Sequence, residues 1–363
     1  MRVDQWIPAF HWGDAIGDTA LHMKYFLRER GFSSQIYCLD RDEGRESESE
    51  LLDAFPASDK DDALIYHFAL PSPMTPAFKK QKCRRILLYH NITPEKFFAG
   101  FSQEMARISR LGREELSSLS PYCHSALADS EYNRKELSEM GFRSTGVFPL
   151  FVNFQRYQRP VSRFDFDLFN DGRTNILFTG RIAPNKKIED LIRVGFYYKK
   201  YISPMVRIII VGKTHSLPSY YRALIRMADD FYLQPDEICF TGHIPDEKMY
   251  ALYKVSDVFL SMSEHEGFGL PFIECMIFGL PVVAYNCTAV PYTLGGSGVL
   301  INHKRPDYTG ELIHRIKSDP KLQEKIVQGQ TRRLKKFQKE YPEARLLRSI
   351  KESKENPANQ DTA

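Results

Sequence analysis

Between Asp257 and Tyr285 a loop and a helix are caught between two apolar runs, and this arrangement limits the fold more than any other stretch of the sequence. The runs Asp257 to Met262 and Pro281 to Tyr285 read as successive buried parallel strands. Pro271 is placed to open the helix between them and Gly279 to end it. Glu266 then lies in the strand-to-helix loop, and Glu274 in the early turns of the helix. The backbone N–H groups of Gly267, Phe268, Gly269 and Leu270 lack intrahelical partners, which makes the helix start an anion site suited to phosphate. Two carboxylates beside a phosphate would repel it, so they need another partner. Sugar hydroxyls, which carboxylates accept strongly, supply one.

The same alternation extends in both directions. Asn175 to Thr179, Val206 to Val211 and Ile238 to Thr241 read as strands closed by Gly180, Gly212 and Gly242, with Val299 to Ile301 as a later one. After the first of these come Gly180-Arg181 and Lys186. Cations fixed off a strand end suit a diphosphate that gains charge as it leaves, with a surface salt bridge as the plainer alternative. In the first half, Val3 to Phe10 is a strand followed by a loop holding Gly13, Asp14 and Gly17, then a helix with Ala20, Leu21, Tyr25 and Leu27 inward. The loop is not GxGxxG, so a dinucleotide is not indicated, and a ligand-lining loop is expected instead. Ala63 to His67 and Ile86 to His90 are strands that each end in histidine. Open parallel sheets bind ligands off the carboxyl ends of their strands, so both imidazoles are expected to face a crevice, against a purely structural role. His90 leads into the polar loop that starts at Asn91.

These units predict an α/β chain of two doubly wound domains facing each other across a cleft. The expected divisions are 1–154, a linker at 155–173, a second domain at 174–330, an amphipathic helix at 331–352 and a disordered tail at 353–363. Within the linker, Asp165-Phe166-Asp167 has the form of a metal-binding Asp-x-Asp. It follows no strand, so no metal is expected there.

Composition narrows the partners. The 363 residues are 42% apolar and 26% charged with a net charge of +4, too mild to point to nucleic acid. Six cysteines with no CxxC pair fit reduced structural thiols in the cytoplasm. Neither a signal peptide nor an apolar run of membrane-spanning length is legible, so a cytoplasmic chain is expected, peripheral at most on the inner face of the cell membrane. Two basic stretches bear on that point: Lys79 to Arg85, and the helical stripe Arg107, Arg110 and Arg113. Each is either a solvated face or a contact for an anionic membrane surface or a phosphorylated acceptor.

Taken together, Gly180-Arg181 with Lys186, Gly242 with Asp246-Glu247, and Ser263-x-x-Glu266-Gly-Phe-Gly-Leu-Pro-x-x-Glu274 make the chain resemble the retaining glycosyltransferases of family 4, glycosyl transferases group 1, which have the GT-B fold. Pro281 to Ala284 after Gly279 agrees. Gly13 to Gly17 and Tyr89 to Pro94 look like a bacterial subgroup that builds surface polysaccharides. The resemblance covers roughly residues 1 to 330. It implies a nucleoside-diphosphate sugar as donor and co-substrate, no further cofactor, no metal, and a saccharide or lipid-linked acceptor. By position, Arg181 and Lys186 would hold the diphosphate, Glu274 the ribose and Glu266 the donor sugar, helped by the amides of Phe268 to Leu270. His90 would sit near the anomeric carbon and Gly13 near the diphosphate, with Asp14, His67 and Asn91 on the acceptor side. Gly212 and Gly242 with His243 would line the base pocket. Gly13 and Gly17 are spaced apart where the family often has adjacent glycines, and Pro291-Tyr292 departs from the usual Pro-Glu. Transfer would retain anomeric configuration by front-face attack, the departing phosphate taking the acceptor's proton. A sugar-nucleotide epimerase of the same fold and a non-catalytic nucleotide-sugar-binding partner are the alternatives.

Overall fold

A computed structural model describes residues 1–339 and 343–352 of the chain. The described residues divide into two compact units, one of residues 1–95, 104–152 and 343–352, the other of 96–103 and 153–339. The first holds strands β1 (Val3–Phe10), β2 (Ile36–Arg41), β3 (Glu50–Leu51), β4 (Ala63–Phe68), β5 (Arg84–Tyr89), β6 (Ser125–Ala128) and β7 (Thr145–Val147). Its helices are α1 (Ala15–Glu29), α2 (Thr75–Lys79), α3 (Gln103–Leu119) and α4 (Glu131–Glu139). The strands form one sheet in the order β3-β2-β1-β4-β5-β6-β7, every pair parallel.

Side chains on successive strand residues point to opposite faces, and here both faces are covered. Along β4 and β5, Leu64, Tyr66, Phe68, Leu87 and Tyr89 enter one core with Trp6, Leu116 and Leu119. Ala63, Ile65, Ile86 and Leu88 enter the other with Val3, Met23 and Leu27.

The second unit begins with α5 (Arg163–Phe169) and continues β8 (Thr174–Thr179), α6 (Ile188–Tyr197), β9 (Val206–Val211), α7 (Pro218–Asp230), β10 (Ile238–Gly242), α8 (Asp246–Val255) and β11 (Val258–Ser261). It ends with α9 (Leu270–Phe278), β12 (Val282–Tyr285), α10 (Val290–Leu294), β13 (Val299–Ile301), α11 (Pro306–Ser318) and α12 (Pro320–Lys339). The sheet order is β10-β9-β8-β11-β12-β13, again all parallel. In each sheet the order reverses beside one central strand, between β1 and β4 in the first and between β8 and β11 in the second. Such a switch point opens a crevice at the carboxyl edge.

Two stretches differ from the expected organisation. Residues 155–173 are not a bare linker. They carry a 3-10 turn at Phe154–Gln158 and then α5, and they belong to the second unit. Asp165 is spent on structure there, bonding Ser162 at the helix start and pairing with Lys248 at 3.0 Å. The helix expected over 331–352 is described in two parts, with residues 340–342 between them outside the described residues. Helix α12 starts earlier, at Pro320, and is described to Lys339, and Glu343–Glu352 is helical (α13). The expected tail at 353–363 lies outside the described residues.

The apolar face of α13 is used within the first unit. Leu346 and Ile350 are fully buried in the same core as Ile86 and Leu88. Arg84 Nη1 donates to the Ile350 carbonyl at 3.2 Å and Arg345 Nη1 to that of Val147 at 2.8 Å. Leu346→Ala should therefore cost about 2–5 kcal/mol, the usual range for emptying such a core site. Both tryptophans, Trp6 and Trp12, lie in this unit, so denaturant unfolding followed by tryptophan emission reads it directly. A midpoint indistinguishable from that of the parent would show that α13 is not part of this core.

Candidate functional site

The switch point of the second sheet gathers most of the residues singled out in the sequence. Gly180, Gly212 and Gly242 close β8, β9 and β10 side by side. The Gly180 amide donates to Val211 O at 2.9 Å, and the Gly212 amide to Gly242 O at 3.0 Å. A Cβ on Gly212 would fall 1.9 Å from the Gly180 carbonyl oxygen, so only glycine lets the two strand ends approach this closely. Gly242 has φ +71 and His243 beyond it is exposed.

On the two sides of the switch, the loop after β8 meets the loop after β11. Lys186 Nζ pairs with Glu266 Oε2 at 2.6 Å, and both side chains are largely buried. Asn185 joins the loops at the backbone, donating from Nδ2 to His265 O at 3.0 Å and accepting the Glu264 amide at 2.8 Å. Lys304 ties the rear, donating to Asp190, Glu264 and the Met262 carbonyl at 2.8–3.0 Å. Thr288 grips Glu266 twice. Its Oγ1 accepts the Glu266 amide at 2.8 Å and lies 2.9 Å from the Glu266 carbonyl as donor.

Lys186 is not a bare cation, but an ammonium has three donors and Glu266 uses one. Oε1 of Glu266 has no partner among the described residues. Arg181, by contrast, is exposed and has no carboxylate partner among the described residues. Dense protein around it still lowers its pKa by desolvation, an effect too small to discharge a guanidinium.

Gly269, at φ +89, caps α9 in the left-handed conformation, and a Cβ there would collide with the Phe272 ring at 2.5 Å. Neither the Gly269 nor the Leu270 amide has an acceptor among the described residues. Phe268 is buried, its carbonyl held by the Thr293 hydroxyl, and Gly267 adjoins it on the loop.

One turn into α9, Glu274 is buried and both its oxygens are already engaged. Tyr157 donates to Oε1 at 2.9 Å and Tyr253 to Oε2 at 2.6 Å. Burial raises the Glu274 pKa, and the two hydroxyls pull it back down. Each carboxylate oxygen keeps a second lone pair for a ligand hydroxyl.

In the first unit, Gly13 (φ +72) ends the loop after β1, and Asp14 caps α1 by accepting from the Ile16 and Gly17 amides at 3.4 Å. The expectation that His67 and His90 face a crevice is corrected in their side chains. His90 Nε2 lies 3.0 Å from His67 Nδ1, and His67 Nε2 lies 3.0 Å from Gln5 Oε1. His90 Nδ1 is 3.0 Å from Asp129 Oδ1, and the His90 and Asp129 side chains are 1% and 3% exposed. Burial in this apolar sheet holds His67 well below the usual imidazole range and raises Asp129. Asn91 adopts φ +74 and donates to Asn133 Oδ1 at 2.9 Å.

The basic stretches are largely absorbed by the fold. Arg84 is buried, and Arg85 donates to the carbonyls of Tyr122, Lys79 and Gln81. Arg113 turns inward to Glu136 at 2.5 Å. Sequence reasoning missed Tyr157, Tyr253, Thr288, Lys304 and Asp129. Only Asp129 carried a signal, as a carboxylate at a strand end.

Residues 162–333 match the family described as glycosyl transferases group 1. Over 127 residues, 35% of this chain, the sequence is 30% identical to the serotype-specific mannosyltransferase WbdA of Escherichia coli. Over 63 residues, 17% of this chain, it is 41% identical to the O-antigen chain mannosyltransferase B of Escherichia coli. These stretches span only 15% and 16% of those relatives' lengths. Among solved structures, Anabaena HepE in complex with UDP-glucose superposes with a TM-score of 0.69 at 15% identity, covering 97% of this chain and 99% of that one. No described helix is long and apolar enough to cross a membrane. The group 1 match runs from α5 into α12, somewhat under half of the chain, and the fold likeness covers nearly all of it, so residues 162–333 form a glycosyl transferases group 1 domain within a chain that has the GT-B pair of Rossmann-like domains.

Proposed function

We propose that this protein transfers a hexose, mannose or a sugar like it, from a nucleoside-diphosphate sugar to a saccharide or lipid-linked saccharide, with retention of anomeric configuration and without a metal or further cofactor. The observation that carries this reading is the grouping at the β8–β11 switch: Arg181 unpaired, Lys186 bound to Glu266, and Glu274 at the opening of α9. The mannosyltransferase relatives support the sugar class, and the group 1 match supports the reaction class. A cytoplasmic site of action, peripheral on the inner face of the membrane, belongs to the same proposal.

In this reading the ribose hydroxyls donate to the free lone pairs of Glu274. Arg181 and the two spare donors of Lys186 hold the diphosphate together with the amides of Gly269 and Leu270. Oε1 of Glu266 accepts a donor-sugar hydroxyl. The acceptor hydroxyl oxygen attacks the anomeric carbon from the face the phosphate leaves. The C–O bond to phosphate breaks, and the hydroxyl proton passes to the departing phosphate oxygen. The protein's own contribution is orientation and fixed positive charge where negative charge grows.

A thermal-shift panel of nucleoside diphosphates and their sugars tests the donor class, and no shift with any of them would overturn the reading. Arg181→Ala should lower turnover by about 3 kcal/mol, a hundredfold or more, with an unchanged melting temperature, because no protein partner is lost. Lys186→Ala should lower both turnover and melting temperature, since it strands the buried Glu266. Equal turnover in Arg181→Ala and parent would remove that residue from the phosphate site.

The Glu274 assignment makes a pH prediction. Only the carboxylate accepts two ribose hydroxyls, and burial raises its pKa above 4.5 while Tyr157 opposes the rise. Nucleoside-diphosphate affinity should fall on acidification, and in Tyr157→Phe the fall should begin at higher pH. Titration of the ligand's own phosphates is common to both profiles and cancels in their difference. Superimposable calorimetric profiles for the two proteins would rule out Glu274 as the ribose acceptor.

A further inference from the structure

Trp12 lies directly after β1, on the loop that opens the switch point of the first sheet. Unlike Trp6, which is 1% exposed, it is 59% exposed. Single exposed aromatics are ordinary on protein surfaces. This one is held in place from several sides. Its backbone N–H donates to Asp42 Oδ2 at 2.7 Å, and its indole N–H donates to the Glu43 carbonyl at 3.1 Å. The Arg45 guanidinium carbon sits 3.7 Å from its ring centroid. Arg45 is itself 2% exposed and lies 4.4 Å from the Phe10 ring, so the cation is clamped between two aromatic rings. Glu48 pairs with it at 2.5 Å. Gly44 passes close by, where a Cβ would stand 3.7 Å from Trp12 Cζ2.

One face of the indole is therefore packed and its only donor is used. What remains open is a rigid apolar plane. A side chain fixed in advance binds without paying ordering entropy. The rim of that plane is polar and acidic: His11, Asp40 and Asp42 are 45%, 75% and 39% exposed in their side chains. The Trp12 amide holds Asp42 below the usual carboxylate range, so it is an acceptor at neutral pH. Carboxylates at the edge repel phosphate and anionic lipid but accept hydroxyl hydrogen bonds. A neutral pyranose has both halves of the match, a C–H face for the indole and hydroxyls for the rim.

We propose that Trp12 is the stacking platform of a pyranose-binding subsite that takes one ring of the neutral acceptor saccharide. Calling that ring the acceptor's rests on the glycosyltransferase reading above, but the binding itself does not need the donor.

The chain has two tryptophans, so Trp6→Phe leaves Trp12 as the sole emitter. Titration with methyl α-mannopyranoside and with α-mannobiose should give a saturable emission change and about twofold slower quenching by acrylamide, as a ligand covers the open face. By calorimetry, Trp12→Ala should lose α-mannobiose affinity about tenfold or more, as for other buried tryptophan contacts, with Trp12→Phe in between. The thermal shift with nucleoside diphosphates should be unchanged in both variants. Should Trp6→Phe not fold, calorimetry of the parent against Trp12→Ala decides alone. No saturable response to either saccharide overturns the proposal, as does equal protection of Trp12 by phosphatidylglycerol vesicles. Saccharide binding through Trp12 with no nucleoside-diphosphate shift would leave the subsite standing and overturn the donor reading instead.

Discussion

A parallel strand buried on both faces can return only through a crossover element, so every strand of such a sheet ends at the same edge. That constraint orders both units. β4 and β9 are buried along their whole length, which leaves no room on them for exposed polar function. Polar residues collect instead in the loops beyond the carboxyl ends. Where the strand order reverses, two such loops diverge and leave space between them. Arg181 and Glu266 face one such gap in sequence terms from β8 and β11. Trp12 and Gly13 occupy the corresponding place after β1.

The loops at the second switch are stiffened by charge pairing and by backbone strain together. Lys186 with Glu266, and Lys304 with Glu264 and Asp190, fix loop ends that surface hydrogen bonds alone would leave mobile. Of the four non-glycine residues with positive φ among the described residues, Lys187 (φ +51), Thr288 (φ +40) and Asn91 (φ +74) adjoin Lys186, grip Glu266 and follow His90 respectively. A β-branched residue such as Thr288 in that region is an outlier that its surroundings must hold, at about 1–3 kcal/mol. Two hydrogen bonds to Glu266 are what Thr288 gains there. Strain of this kind sets a carboxylate in place before any ligand arrives, which is the condition for orientation to contribute to rate.

The strands of the second unit and the loops that matter were legible because they rest on local signals. Apolar runs marked β8 to β13, Pro271 and Gly279 marked α9, and glycines marked the strand ends. What the sequence did not disclose was non-local pairing. Nothing near Glu274 announces Tyr157, which is 117 positions away, or Tyr253 on α8. Nothing near Glu266 announces Thr288 or Lys304. The inward turn of His67 and His90 was hidden for the same reason, since it depends on Gln5 and Asp129 from other strands. The segment 155–173 read as a linker because α5 is short and its Phe, Asp and Arg residues lack a helical apolar period.

Glu274 shows why those hidden partners matter. An exposed carboxylate binds hydroxyls weakly, because water competes for the same lone pairs. Burial removes that competition and strengthens each remaining hydrogen bond, but it also favours the protonated acid, which accepts less well. Two tyrosine hydroxyls that donate to the charged form ease the conflict, helped by the charge of Arg156, which is itself paired with Asp246. They leave each carboxylate oxygen with one unsatisfied lone pair, and it is these that the ribose diol of the proposed donor would complete. The same design is absent at Glu266, where Lys186 supplies the compensation. In the proposed reaction the neighbouring cation is an advantage there, because it would also meet the charge that develops on the leaving phosphate.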